Sequence, residues 1–239
     1  MPGSYFSFKQ FTIYQDRCAM KVGTDGVLLG AWVDVSAAGR ILDVGTGTGI
    51  IALMCAQRSE NSMIDAVEED PNASAQASEN CKKSKWTDRI TVVNNSIQYY
   101  ASVTDRRYDL IVSNPPFFRN SLKPPVNRRS LARHDDNLSL ESLFHHCGSL
   151  LTANGIIALI FPAIDIDFAD RNAYFNGMNP LRKTFVSPYE GKHFSRCLVE
   201  YTCRSTVKCV TDELIIKKRA GSEVTGSFRE LTKEFYLKF

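Results

Sequence analysis

Arg40-Ile-Leu-Asp-Val-Gly45-Thr-Gly47-Thr-Gly49 decides the fold. The apolar run Arg40–Val44 breaks into three alternating glycines, and Ile50–Arg58 then resumes with the pattern of a helix. Strand, glycine turn and helix start bring backbone N–H groups to one place and let a ligand approach the chain closely. The spacing is GxGxG rather than the dinucleotide GxGxxG, because Ile50 stands where the third small residue would be. The Lys-Ser/Thr pair of a phosphate-binding P-loop is also missing. Asp43, at the start of the turn, disfavours a pyrophosphate and suits a cationic ligand.

Outward from this turn, strands and helices alternate. Met63–Val67 reads as a second strand ending at Glu68, Glu69 and Asp70. Asp70-Pro71 supplies an N-cap and first-turn proline for a helix reaching about Ser84. Arg89–Val93 and Tyr108–Val112 read as further strands, Leu138–Leu151 as an amphipathic helix and Gly155–Phe161 as a fifth strand. The pattern then weakens, with strands expected near Leu181–Val186 and Cys197–Cys203. A last helix is expected near Ser227–Leu237, opened by the capping box Ser227-x-x-Glu230. This order predicts a single α/β domain over residues 1–239, with a mostly parallel sheet and helices on both faces. Ligands in such sheets sit at the carboxyl ends of the strands. Glu68, about twenty residues past the turn, is placed there to accept both hydroxyls of a ribose.

Composition narrows the class. With 44% apolar and 23% charged residues, the chain is neither collagen-like, coiled coil nor disordered. A net charge of +3 permits a nucleic-acid partner without requiring one. No apolar run approaches the roughly 18 residues of a membrane span, and MPGSYFSFKQ lacks a signal-peptide core, so a cytoplasmic protein off the membrane is expected. Seven scattered cysteines form no CxxC pair. They predict buried small hydrophobes rather than disulfides or zinc ligands, with Cys197, Cys203 and Cys209 on one face if their stretch is one strand. The four histidines show no ligand spacing, and no metal is expected.

Ser113-Asn114-Pro115-Pro116-Phe117 directly follows the fourth strand. Two prolines fix the backbone and remove two donors, leaving carbonyls free to face the cleft. The side-chain oxygen of Asn114 and the carbonyl of Pro115 together suit both hydrogens of a planar NH₂ group. Those bonds aim the nitrogen lone pair at an electrophile, and Phe117 offers a face for stacking worth about 1–3 kcal/mol for a base. Beyond it lies a long stretch to Asn137 containing Arg119, Lys123, Arg128, Arg129 and Arg133, with no acid before Asp135. A basic segment beside an amine pocket is where an RNA backbone is expected. Lys217, Lys218 and Arg219 read as a solvated turn.

DVGTGTG, Glu68 and NPPF resemble the S-adenosyl-L-methionine-dependent methyltransferases that modify exocyclic or amide nitrogens. Phe8-Lys-Gln-Phe11, the stretch Asp16–Trp32 and the late Glu234-Phe-Tyr-Leu are similar to the bacterial valine-tRNA adenine-N6 methyltransferases. The resemblance implies a class I methyltransferase fold, with a seven-stranded sheet whose last strand is antiparallel. It implies methylation of N6 of adenine 37, beside the anticodon of a valine tRNA, with no obligate protein partner. It further implies that Asp43, Gly45, Gly47 and Gly49 frame the methionine part of the cofactor, that Glu68 holds its ribose, and that Asn114 and Pro115 bind the target amine. Lys21, Thr24 and Gly26 match a segment, within residues 1–39, that closes over the cofactor. Ser96 stands where the family usually has an acid facing the cofactor's adenine, and Phe117 stands where tyrosine is common.

Two other functions share these motifs. NPP-type enzymes also methylate the glutamine amide of release factors, usually with an N-terminal helical domain, whereas here the first strand begins by Arg40. DNA or ribosomal RNA amino groups fit the same pocket signature. A scaffold that binds the cofactor without catalysis would not require NPPF.

Overall fold

The computed structural model describes residues 4–116, 139–205 and 208–238. Two short paired strands, Tyr5–Ser7 (β1) and Thr12–Tyr14 (β2), and the helix Thr24–Trp32 (α1) come before the central strand Arg40–Val44 (β3). There follow Ile50–Arg58 (α2), Met63–Glu68 (β4), Pro71–Lys82 (α3), Ile90–Asn94 (β5), Ile97–Val103 (α4) and Tyr108–Ser113 (β6). The second half holds Leu140–Leu150 (α5), Leu151–Pro162 (β7), Ile166–Phe175 (α6), Asn179–Tyr189 (β8), Arg196–Thr202 (β9), Val210–Lys217 (β10) and Gly226–Thr232 (α7).

The large sheet runs β10-β8-β9-β7-β6-β3-β4-β5. All neighbours are parallel except at β9, which is antiparallel to both β7 and β8. The expected α/β architecture is present, with two corrections. The sheet has eight strands rather than seven, and its antiparallel member is the seventh in chain order, while the last, β10, pairs parallel with β8. β10 escapes a hydropathy reading because it is an edge strand: Val210 through Glu213 are exposed and only Leu214 is buried. Charges on such an edge discourage pairing with another chain.

Alternate residues of the strands feed two apolar layers. Ile41, Ile64, Leu110, Val112 and Ile160 face α1, α2 and α7. Leu42, Val67, Ile111, Ile157 and Leu159 face α4, α5 and α6. Helix α1 is buried from Gly26 to Trp32, so it shows no amphipathic period. A Cβ on Gly30 would fall 2.8 Å from the sulfur of Met54, so glycine permits the close crossing of α1 over α2. The Arg58 guanidinium then donates to the carbonyls of Gly30 and Val33 at the end of α1.

Helix caps follow the sequence in one case and not in another. Asp70 accepts from the Ala73 amide at 2.7 Å and Pro71 occupies the first turn of α3, as expected. The last helix is capped by Thr225, which accepts from the Phe228 amide, rather than by Ser227; Glu230 pairs with Lys233 instead. Five cysteines are buried, whereas Cys203 is exposed and Cys209 half-buried, because β9 ends at Thr202 and β10 starts at Val210. The proposed single-strand face for Cys197, Cys203 and Cys209 is therefore absent.

The N-terminal segment packs against the end of the chain. Phe6 and Phe8 contact the ring of Tyr236, and the Lys9 amide donates to the Phe235 carbonyl at 2.8 Å. The two aromatic stretches singled out at opposite ends of the sequence thus form one cluster.

Candidate active site

The glycine turn is held from three directions. Gly45, Gly47 and Gly49 have φ of 69°, 56° and 83°, in the left-handed region that only glycine adopts without strain. The amides of Gly45 and Thr46 donate to the Val67 carbonyl at the end of β4. The Gly47 amide donates to Glu68 Oε2 at 2.8 Å, while Glu68 Oε1 accepts from the Asp70 amide at 2.9 Å. One carboxylate therefore ties the turn to the start of α3. A Cβ on Gly45 or Gly47 would meet nothing within 4 Å, so these two leave open space above the turn, whereas Gly49 backs onto Cys81 and Ala77.

Asp43 supports the turn from below. It is fully buried, and its Oδ2 accepts from the Thr46 hydroxyl at 2.5 Å and from the Ala52 amide at 3.1 Å. Its Oδ1 is buried and finds no hydrogen-bond partner among the described residues. Burial pushes the carboxyl up to about 7, against the pull of the Thr46 and Ala52 hydrogen bonds.

Above the turn lies a cleft of about 530 Å³, walled by residues 17–20 on one side and by Glu68, Glu69, Asn95 and Ile97 on the other. It adjoins a second chamber of about 440 Å³ lined by Lys21, Thr24, Asp25, Gly26, Ile51 and Arg196. Gly45, Gly47, Asn114, Pro115 and Pro116 line both, so the Asn-Pro-Pro segment stands where the chambers meet. The Ser113 hydroxyl donates to the Val44 carbonyl at 2.7 Å and fixes that segment's origin beside the turn. Lys21 Nζ donates to the Gln15 carbonyl, and Arg196 pairs with Asp25 at 2.8 Å.

Most of the expected site residues converge here: Lys21, Thr24, Gly45, Gly47, Glu68, Asn114 and Pro115 all line one chamber or both. Asp43 and Gly49 lie beneath the turn rather than in the cleft wall. Ser96 caps α4, accepting from the Tyr99 amide at 3.2 Å, and the cleft wall at this point is formed by its neighbours Asn95, Ile97 and Gln98. Phe117, Arg119, Lys123, Arg128, Arg129 and Arg133 lie outside the described residues.

Sequence reading missed Asn80. Its amide donates to the carbonyls of Tyr14 and Thr48 and its oxygen accepts from the Tyr14 amide, at 2.8–2.9 Å. This buried side chain straps the N-terminal segment to the glycine turn. Nothing in a helix reading "ASENCK" marks Asn80 as different from its polar neighbours; only the strand it pairs with does.

The donor set fits a nucleoside carrying a cation. A half-buried carboxylate suits ribose hydroxyls, the open space over two glycines admits a chain close to the backbone, and a buried carboxylate with an orphaned oxygen favours positive charge nearby. Each chamber is within the usual range of small-molecule sites.

The sheet and this cleft define a class I, Rossmann-like methyltransferase. Residues 18–161 match the family model "Methyltransferase small domain". A solved structure titled as a predicted O-methyltransferase from Agrobacterium tumefaciens superposes with a TM-score of 0.70 at 18% identity, covering 88% of this chain and 96% of that one. Two curated relatives, from Trichodesmium erythraeum and Aeromonas hydrophila, are 48% and 44% identical; they cover 100% and 98% of this chain and the same shares of their own. Both are named tRNA1(Val) (adenine(37)-N6)-methyltransferase. The chain belongs to that family. Its methyltransferase domain and fold imply the use of S-adenosylmethionine. Among the described residues, no helix is long and apolar enough to cross a membrane.

Proposed function

We propose that this chain methylates the exocyclic N6 of adenine 37 in tRNA(Val). The observation that carries the reading is the Asn114-Pro115-Pro116 segment on the border of two chambers, one with the features of a nucleoside site. Full-length similarity to the two named relatives supports the choice of base and RNA.

When bound, S-adenosylmethionine supplies an electrophilic methyl group on a sulfonium sulfur. Glu68 would accept the ribose hydroxyls, Gly45 and Gly47 would let the methionine part lie against the backbone, and Asp43 would hold the turn from below through Thr46 and Ala52. Asn114 Oδ1 and the Pro115 carbonyl accept the two N6 hydrogens and hold the nitrogen lone pair toward the methyl carbon. With its lone pair so held, N6 would take the methyl group from the sulfonium and release its surplus proton to water only after alkylation, so no residue of this chain need act as a strong base. Phe117 stacks on the adenine. Residues 1–39 close the cleft, an arrangement supported by the position of residues 17–20 and the Asn80 strap. Arg119, Lys123, Arg128, Arg129 and Arg133 take the RNA backbone. The site of action is the cytoplasm.

The test uses labelled S-adenosylmethionine with tRNA from a strain lacking the gene, followed by nucleoside mass spectrometry. N6-methyladenosine at position 37 of tRNA(Val) is the expected product. Label found only in release factor, DNA or ribosomal RNA would keep the amine chemistry and refute the tRNA assignment.

A further inference from the structure

Thr24, at the start of α1, lines the second chamber. That residue also lines a groove of about 760 Å³, larger than either chamber, between the β8 end, the β10 end and α7. Its walls carry Tyr189 and Tyr236, both half-buried, together with Lys217, Arg229 and Lys238. At its rim, Lys192 Nζ lies 5.7 Å over the Tyr189 ring, and Lys218 and Arg219 stand exposed on the turn after β10. Against these cations stand Glu223 in the groove wall and Glu190 at the rim. Among the described residues, Lys192, Lys217, Lys218, Arg219 and Lys238 take part in no ion pair.

The turn that presents them is built rather than loose. The Arg219 amide donates to the Ser222 hydroxyl, which donates back to the Arg219 carbonyl, and Gly221 takes φ 74°. Lys217 bridges to Val224, and the Thr225 amide donates to the Ile216 carbonyl. The turn fixes the backbone that carries these cations, so meeting an anion orders only their side chains. Cations along a groove suit the phosphates of a nucleic-acid strand, while Tyr189, under Lys192, and Tyr236, among Phe6, Phe8 and Phe228, pack within its walls.

We infer that this groove between β8, β10 and α7 is a second RNA surface, which holds the tRNA backbone leading away from the target nucleotide. The proposal rests on the tRNA reading of the active site and deepens it. Thr24, shared by the two linings, sets the path: a strand whose adenine enters the chambers leaves past the start of α1 into the groove.

The test is the combined substitution Lys192→Ala, Lys218→Ala and Arg219→Ala, all at exposed side chains, with S-adenosylmethionine affinity as the check on folding. Each lost phosphate contact makes the salt dependence of binding less steep by about 0.7, so three contacts change the slope by about 2. Between 50 and 200 mM salt the unmodified protein should lose about 18-fold more tRNA affinity than the variant. Arg219→Lys, which keeps the charge, should leave the slope unchanged. Equal slopes in proteins that both bind tRNA would overturn the groove while leaving the active-site reading intact. An unmodified protein that neither binds nor methylates tRNA would overturn both.

Discussion

Asp43→Asn isolates the buried carboxylate under the glycine turn. In the folded chain its ionised form is disfavoured, so the carboxyl titrates at about 7 instead of 3.8. Between those values the folded state binds the proton and the unfolded state does not, and stability must fall as pH rises. The full shift is about three units, or up to about 4 kcal/mol, absent below pH 4 and complete above pH 7. Asparagine cannot ionise, and its oxygen can still accept from Thr46 and Ala52. Its NH₂ group then replaces the orphaned Oδ1 and is a buried donor without a partner, at a cost of about 1–3 kcal/mol. The variant should therefore be the less stable protein at pH 4.5 and the more stable one at pH 8.5, with the two profiles crossing in between. Urea unfolding at half-unit pH steps, without cofactor, measures this, and taking the difference between the proteins removes the other titrating groups. Parallel profiles would refute the reasoning, since they would mean that Asp43 is charged throughout.

Three further outcomes follow from the site's geometry. Gly49→Ala places an L-residue at φ 83°, which costs about 1–2 kcal/mol and lowers the melting temperature by roughly 2–8 °C in calorimetry. Asn80→Ala removes the three hydrogen bonds to Tyr14 and Thr48, which destabilises by about 2–4 kcal/mol and speeds proteolysis within residues 5–20. Asn114→Ala should lower methyl transfer by roughly 100-fold or more while S-adenosylmethionine affinity, read by calorimetry, stays within a few-fold; a large loss of cofactor binding would remove Asn114 from its assigned role.

What the sequence discloses divides along physical lines. The run from Arg40 to Ser113 is readable because each strand there is a short apolar block closed by a turn signal, and Asp70-Pro71 punctuates α3 without ambiguity. α1 shows no amphipathic period because it is buried from Gly26 to Trp32, and β10 shows no apolar block because half its length is exposed. At the site, the glycines, Glu68 and Asn114 announce themselves by spacing. Asn80, Asn95 and the Asp25–Arg196 pair do not, because their roles depend on partners between 14 and 196 that only tertiary structure brings near. Ser96 shows the converse, a position marked by alignment to a motif whose hydroxyl serves a helix end.

The contact between Lys9 and Phe235, with Phe8 against Tyr236, has a consequence for assembly on the ribosome. The segment that walls the cleft is synthesised first, yet its anchors come late: Asn80 after α3 begins, and the aromatic pair only after α7. The glycine turn and its neighbouring strands are complete long before that. A nascent chain thus carries an incompletely anchored cleft for most of its synthesis. The second anchor of that wall arrives only when residues 235 and 236 have left the exit tunnel, so a premature stop after β7 yields a sheet with its turn in place and a wall tied down at Asn80 without its aromatic anchor.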